Sequence, residues 1–350
     1  MKAQLILENG KRFDGYAFGA TKNVVGEVVF STGMVGYQET ITDSAYAGQI
    51  VIMTFPMVGN YGIILEDGES DKATALAVIV REKCDYPSNF RNEMNLEDFL
   101  CQKGICGLEG IDTRALTQEI RNSGCMKGVI AVGEIDDATI EQMMASYDNS
   151  NAVMDNTTKN TYTVNEIGSV DVAVIDMGAM GEQVKALQKR NCRVTVFPAN
   201  AKAEEIEKIN PQLVFVSNGP GNPEDAMYAV QTVKHLIGKY PVCGVSLGHL
   251  IIGLALGCKV EKLKFGHHGS NQPVKDMATE KVYITSQNHN YVLVDYPDTV
   301  SVTYTNVNDG SCEGIKHNEY PVQSIQFYPE TAPGTLDSDF LFDRFLKEVR

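Results

Sequence analysis

The chain has 350 residues, 43% of them hydrophobic, and a net charge of -15 with a pI near 4.9; that length and apolar content support about two domains, each with a full core. The acidity comes with no basic face, which excludes a nucleic-acid role and reads as the solvated surface of a cytoplasmic protein. No apolar run approaches the ~20 residues that span a bilayer, and Met1 to Leu7 runs directly into Glu8-Asn9-Gly10, so neither a membrane segment nor a signal peptide is expected.

Residues 4–7 and 12–15 read as a β-hairpin turning at Asn9-Gly10. The segment from Gln49 to Pro56, after a turn at Thr42-Asp43-Ser44, is a β-branched strand, and Ala75 to Val80 is another. Leu96 to Lys103 reads as a helix, Ala115 to Asn122 as a second, Met126 to Val132 as a strand and Asp137 to Tyr147 as a third helix. This half carries no repeat and no phosphate loop. Residues 148–168, polar and rich in Asn and Thr, read as a linker between a domain at 1–148 and one at 169–350.

The second half alternates strand and helix. Strands are expected at 170–175, 193–197, 213–217 and 242–245, with helices at 182–189, 203–209 and 225–237 between them. Such alternation implies a parallel, doubly wound sheet that binds ligands at the carboxyl ends of its strands. The segments 282–286, 300–304 and 323–327 read as antiparallel additions, and 339–349 as a final helix. The eight cysteines form no Cys-x-x-Cys pair and no zinc spacing. They read as reduced thiols, and no metal site is expected.

The chemistry concentrates in residues 241–257. A proline precedes the apolar run Val242 to Val245, then comes Gly244-x-Ser246-x-Gly248, then an apolar segment ending at Gly257. The flanking glycines allow a sharp turn from strand into helix, which leaves Ser246 exposed above the N–H groups of a helix N-terminus. Those groups suit a developing oxyanion. On the pentapeptide alone, a plain strand–helix turn with glycines for packing remains an equal reading.

The longer stretch resembles the nucleophile elbow of class I (triad) glutamine amidotransferases, Gly-x-Cys-Leu-Gly-His-Gln. The words Gly26-Glu27-Val28-Val29-Phe30, Gly36-Tyr37-Gln38-Glu39, Gly59-Asn60-Tyr61-Gly62, Ser88-Asn89-Phe90-Arg91 and Gly110-Ile111-Asp112-Thr113-Arg114, with the run from Lys262 to Asp276, narrow this to the small subunit of carbamoyl-phosphate synthase. The resemblance covers nearly the whole chain. It implies an N-terminal α/β domain specific to that subunit, followed by a doubly wound, flavodoxin-like amidotransferase domain. It also implies a synthetase large-subunit partner holding ATP and Mg2+, with no cofactor in this chain. Carbamoyl phosphate is then made from ammonia or glutamine nitrogen, bicarbonate and ATP, for arginine and pyrimidine synthesis.

Carried over position by position, the resemblance places the nucleophile at Ser246 (Cys in the family), the base at Tyr328 (His in the family) and the orienting carboxylate at Glu330. The stretch here reads Tyr328-Pro329-Glu330-Thr331-Ala332-Pro333 where the family has His-Pro-Glu. A serine hydroxyl depends on a base more heavily than a thiol does, and tyrosine, with an ordinary pKa of about 10, is a poor base at pH 7. The resemblance assigns L-glutamine contacts to Gly219, Gly221, Leu247, Leu250, Asn288, Asn290, Tyr291 and Ala45. Among these, Leu250 stands for Gln, Ala45 for Ser and Asn290 for Gly, while Asn288 is kept and Tyr291 is a near match to the family's Phe. In Asp176-Met177-Gly178-Ala179 the Lys and Asn that usually follow are Met180 and Glu182. His289 and His249 are candidates for a rewired base, although His249, His267 and His268 read as structural hydrogen-bonders.

The expectation is therefore a small subunit that has lost its own glutaminase step and serves an ammonia-dependent, structural or regulatory role. The competing readings are a working glutamine-hydrolysing subunit, a serine hydrolase, and a module that senses glutamine.

Overall fold

The structure is a computed structural model describing residues 1–350 apart from 71, 331–333, 335, 348 and 350. Thr331, Ala332 and Pro333 of the C-terminal site stretch, and the end of the expected final helix at 348, lie outside the described residues. Residues 1–149 with 264–269 form one compact unit, and residues 150–263 with 270–350 form the other.

The first unit is built on a closed barrel. Its strands are β1 (Lys2–Leu7), β2 (Arg12–Gly19), β3 (Val24–Ser31), β4 (Gln49–Met53), β6 (Ala77–Ile79), β8 (Cys106–Glu109) and β9 (Met126–Val132), in the order β1-β2-β8-β6-β4-β3-β9. A small ribbon joins β5 (Met57–Val58) to β7 (Glu82–Lys83). The hairpin at Asn9-Gly10 and strand β9 stand where the sequence places them. Strands β3, β4, β6 and β8 pair in parallel, while β1, β2 and β9 close the barrel in antiparallel.

Alternation of side chains along the strands builds two cores. Ile50, Ile52, Ala77 and Ile79 point into one cluster with Leu5 and Leu7, while Val51 and Val78 point into another with Phe99 and Leu100. Burial on both faces is why these strands read as continuous apolar runs. Helices α1 (Tyr37–Thr42), α2 (Leu96–Lys103), α3 (Thr113–Ser123) and α4 (Asp137–Ser146) complete the unit. The bounds of α2 match the expectation because Asn95 caps it, its side chain accepting from Asp98 N at 2.8 Å.

The second unit begins inside the expected linker. Residues 150–168 carry α5 (Ala152–Asn156) and β10 (Tyr162–Val164), and β10 pairs antiparallel with β12 at the edge of the sheet. The linker reading is corrected accordingly. Asn- and Thr-rich composition does encode a chain with little core of its own, but an edge strand needs only backbone pairing.

The sheet order is β10-β12-β11-β13-β14-β19-β18-β17-β15-β16. Strands β11 (Val170–Asp176), β12 (Cys192–Pro198), β13 (Leu213–Val216), β14 (Val242–Val245) and β19 (Val322–Ile325) are parallel, in the flavodoxin-like order 2-1-3-4-5. Helices α7 (Ala203–Glu207), α8 (Met227–Leu236) and α9 (Leu247–Leu256) cover one face. On the other lie α6 (Gly181–Lys189) and α10 (Phe340–Lys347).

Strands β15 (Lys259–Asp276), β16 (Val282–Val294), β17 (Val300–Asn306) and β18 (Cys312–His317) extend the sheet. Segment 323–327 is corrected from an antiparallel addition to the fifth parallel strand, since β19 pairs in parallel with β14 and only its other edge, with β18, is antiparallel. Among the described residues, no helix is long and apolar enough to cross a membrane.

Candidate active site

Strand β14 is buried throughout and runs into α9 through Ser246. Ser246 takes φ 56° and ψ -113°, a backbone state that costs an L residue on the order of 1–3 kcal/mol unless its surroundings impose it. The surroundings do so. Ser246 N donates to Ile325 O at 2.9 Å, and its carbonyl accepts from His249 N at 3.0 Å and Leu250 N at 3.2 Å. Gly248 N donates to Ser217 O at 3.0 Å. A Cβ at position 248 would stand 2.1 Å from Val216 O, so only glycine lets α9 sit this close to β13. The first turn of a helix leaves its N–H groups without intrahelical acceptors. Those of Gly248, His249 and Leu250 are engaged as just described, which leaves Leu247 N–H as the donor the elbow offers an oxyanion.

The loops after β11 and β13 close around the elbow at the point where strand order reverses, the usual ligand crevice of such sheets. Asp176 Oδ1 accepts from Gly178 N at 2.9 Å and Ala179 N at 2.6 Å, which folds the 176–179 turn. Ser217 Oγ accepts from Met177 N at 2.9 Å, and Asn218 Oδ1 from Met180 N at 3.0 Å. A Cβ at Gly219 would lie 2.2 Å from Met177 O and 2.9 Å from Leu247 Cδ2. Gly219, Leu247 and the 176–179 turn are thus brought together, and Gly221 follows in the same loop with φ 86°.

The C-terminal stretch approaches from β19, whose Ile325 pairs with Val245 beside the elbow. Tyr328 is buried in the cluster that holds Phe327 and Leu341. Its N–H donates to Ser286 O at 2.9 Å, and its carbonyl accepts from Ser338 Oγ at 3.3 Å. Glu330 is buried as well, and its Oε1 accepts from Gln183 Nε2 at 2.7 Å. Gln183, on α6, also reaches Asn218 N with its Oε1 at 3.4 Å. The expected orienting carboxylate is therefore tied through Gln183 to the loop after β13.

The two family descriptions that match are "Carbamoyl-phosphate synthase small chain, CPSase domain" over residues 5–130 and "Glutamine amidotransferase class-I" over residues 173–348. The carbamoyl phosphate synthase small chain of Clostridium perfringens is 50% identical over 347 residues, covering 99% of each chain. That of Caldanaerobacter subterraneus subsp. tengcongensis is 47% identical, covering 100% of this chain and 97% of its own. The pyrimidine-specific small chain of Bacillus subtilis is 42% identical, covering 100% of this chain and 96% of its own. This chain belongs to the carbamoyl-phosphate synthase small-chain family.

Against that family, the remaining expected positions sort by placement. Leu250 is buried in the apolar core under α9 and offers no polar atom. Asn288, Asn290 and Tyr291 lie on β16, with the Lys262 ammonium 6.0 Å from the Tyr291 ring. Ala45 belongs to the first unit, in a 3-10 turn over Ser44–Tyr46 where Asp43 Oδ1 accepts its N–H at 2.9 Å.

The rewired-base candidates fare differently from their expectation. His289 was expected in a loop and is instead inside β16, where continuous sheet pairing outweighs its polar neighbours. Its Nδ1 faces Tyr291 O at 2.9 Å and its Nε2 faces Gln287 Oε1 at 3.1 Å, so both ring nitrogens are engaged. His249 is fully buried, with Nδ1 at 2.9 Å from Ser324 Oγ. Burial pushes its pKa down to about 3, only partly offset by the hydrogen bond at Ser324, and keeps it neutral.

The residues that sequence reasoning missed are Gln183 and Ser217. Gln183 sits one position beyond the Glu182 already noted as a departure, and only the crossing of α6 over the 326–330 segment reveals what it holds.

Proposed function

We propose that this chain is a carbamoyl-phosphate synthase small subunit that docks on a synthetase large subunit and does not itself hydrolyse glutamine. The complex then makes carbamoyl phosphate from free ammonia, bicarbonate and ATP, with ATP and Mg2+ held by the large subunit and the product feeding pyrimidine or arginine synthesis. The observation that carries this reading is at the expected base position. Tyr328 stands there, buried, and one oxygen of the Glu330 carboxylate that would orient a histidine accepts from Gln183.

Ser246 would attack a glutamine carboxamide only if a base removed its proton, and neither histidine candidate is suited to that task. His249 is held neutral on Ser324, and His289 has both ring nitrogens engaged. Loss of nucleophile or base alone typically costs on the order of 10⁴–10⁶ in turnover. Leu250 further deprives glutamine of a polar partner, at about 1–3 kcal/mol for a buried bond left unmade.

The test is ammonia release from glutamine by the chain with its large subunit, across a ladder of variants. Ser246→Cys alone should stay at background, and Ser246→Cys with Tyr328→His should recover weak hydrolysis. Adding Leu250→Gln should raise kcat/KM further. Ammonium should support carbamoyl phosphate synthesis throughout. Glutamine turnover by the unmodified chain at an enzymic rate of about 1–10³ s⁻¹ would overturn the reading. Stoichiometric fluorophosphonate labelling abolished by Ser246→Ala would favour a serine hydrolase instead.

A further inference from the structure

Glu330 and the elbow belong to different segments of the chain, yet a run of hydrogen bonds joins them. Gln183 stands at its centre, in the first turn of α6, and is 1% exposed. Its backbone N–H donates to Met180 O at 3.1 Å, and Met180 N donates to Asn218 Oδ1 at 3.0 Å. The start of α6 is thereby fixed against the loop after β13. From there the Gln183 amide reaches in two directions. Its Nε2 donates to Glu330 Oε1 at 2.7 Å, and its Oε1 accepts from Asn218 N at 3.4 Å.

Beyond Asn218 the loop is bound to the elbow. Ser217 Oγ donates to Asn218 O at 2.8 Å, and Ser217 O accepts from Gly248 N at 3.0 Å. The path from Glu330 through Gln183, Asn218 and Ser217 to Gly248 therefore ties the 326–330 stretch to the helix turn that carries Leu247 N–H. It passes through neither position 246 nor position 328.

An amide suits this place because it donates at one end and accepts at the other without adding charge. Its bond to the buried carboxylate is of the stronger, charge-assisted kind. A carboxylate offers about four acceptor sites, so a donor on Glu330 Oε1 fixes the group's orientation while leaving it able to accept from an imidazole as well. We propose that Gln183 is the positioning residue of this site, its amide holding the Glu330 carboxylate in register with the loop after β13 and the elbow. This rests on the reading of 328 as the base position and of Glu330 as its orienting carboxylate. A histidine placed at 328 takes its orientation from Glu330 only while Gln183 holds that carboxylate.

The experiment follows, by NMR titration of the full chain, the imidazole introduced by Tyr328→His. Position 183 is left native or changed by Gln183→Leu or the longer Gln183→Met, with thermal melting to verify folding. A carboxylate held beside the imidazole favours its charged form, so either replacement should lower the imidazole pKa by about 1–3. In Ser246→Cys with Tyr328→His, the same replacements should lower kcat for glutamine by about 10–100-fold and leave KM within about threefold. Where that double variant has no measurable turnover, the imidazole pKa alone decides. An imidazole pKa that stays or rises, or a measurable kcat that does not fall, would overturn the proposal. Failure of both Gln183 variants to fold would overturn it too, since the amide would then be a requirement of the core. Glutamine turnover by the unmodified chain would overturn the inactive-subunit reading alone, because the imidazole pKa is read without turnover.

Discussion

The elbow and the 326–330 stretch lie at the ends of neighbouring parallel strands, yet they differ in what holds them. The elbow is held by backbone. Ser246 keeps a positive φ because its N–H, its carbonyl and Gly248 N–H are all committed to β19, α9 and the loop after β13. The 326–330 stretch is held to a larger extent by side chains, with Tyr328 packed beside Phe327 and Leu341 and Glu330 bonded to Gln183. Backbone geometry is indifferent to what the Ser246 side chain can do chemically. The packing around Tyr328 and the bond to Glu330, in contrast, depend on which side chains are present. The backbone of the strand–turn–helix is therefore held independently of which side chains stand at positions 246 and 328.

The sharpest way to break this comparison is at Gly248. Gly248→Ala drives a Cβ to 2.1 Å from Val216 O, an overpacked contact against backbone that should cost about 3 kcal/mol in urea unfolding. A loss below about 1 kcal/mol would mean that α9 shifts freely and the elbow is not backbone-locked.

Gln183→Leu should cost about 1–3 kcal/mol by the same measurement, because Glu330 Oε1 loses its amide donor in a buried setting. A neutral outcome would remove the side-chain tie from the account of the 326–330 stretch.

The pH dependence of stability sharpens the view of His249. Its pKa is lowered from about 6.5 in the unfolded chain to about 3 in the fold, so between those values the unfolded state binds the extra proton. Its contribution is full above pH 6.5 and is lost as pH falls, at up to about 1.4 kcal/mol per pH unit. His249→Gln should therefore show a shallower decline between pH 7 and 5 than the native chain. Equal slopes would mean that His249 takes up a proton in the fold.

The smallest effect is at the elbow itself. Ser246→Gly relieves a positive φ that glycine adopts without penalty, and should raise stability by up to about 1 kcal/mol in thermal unfolding. A loss of stability instead would show that the Ser246 side chain contributes packing that outweighs the strain.

How much of this was legible in the sequence follows from the range of each interaction. Helix α2 and strand β14 were placed residue for residue because caps and short apolar runs are local signals. The elbow was legible because Gly244, Ser246 and Gly248 lie within five residues, and family membership followed from words spread through both units. Closure of the barrel was not legible, since β6, β8 and β2 pair across gaps of many residues and no local pattern names the partner. The same reason hid the parallel sense of β19, which is decided by its neighbour β14 and not by its own alternation.

The sequence by itself determined the family, the position of the strand–turn–helix around Ser246, and the substitution of Tyr328 for the expected histidine. Only the tertiary structure decided that residues 162–164 join the sheet, that Gln183 holds Glu330 and that His289 lies inside a strand. Each of these depends on which distant backbone or side chain arrives beside the residue. Such proximity is created by burial and strand pairing across the whole chain, and local propensity carries no record of it.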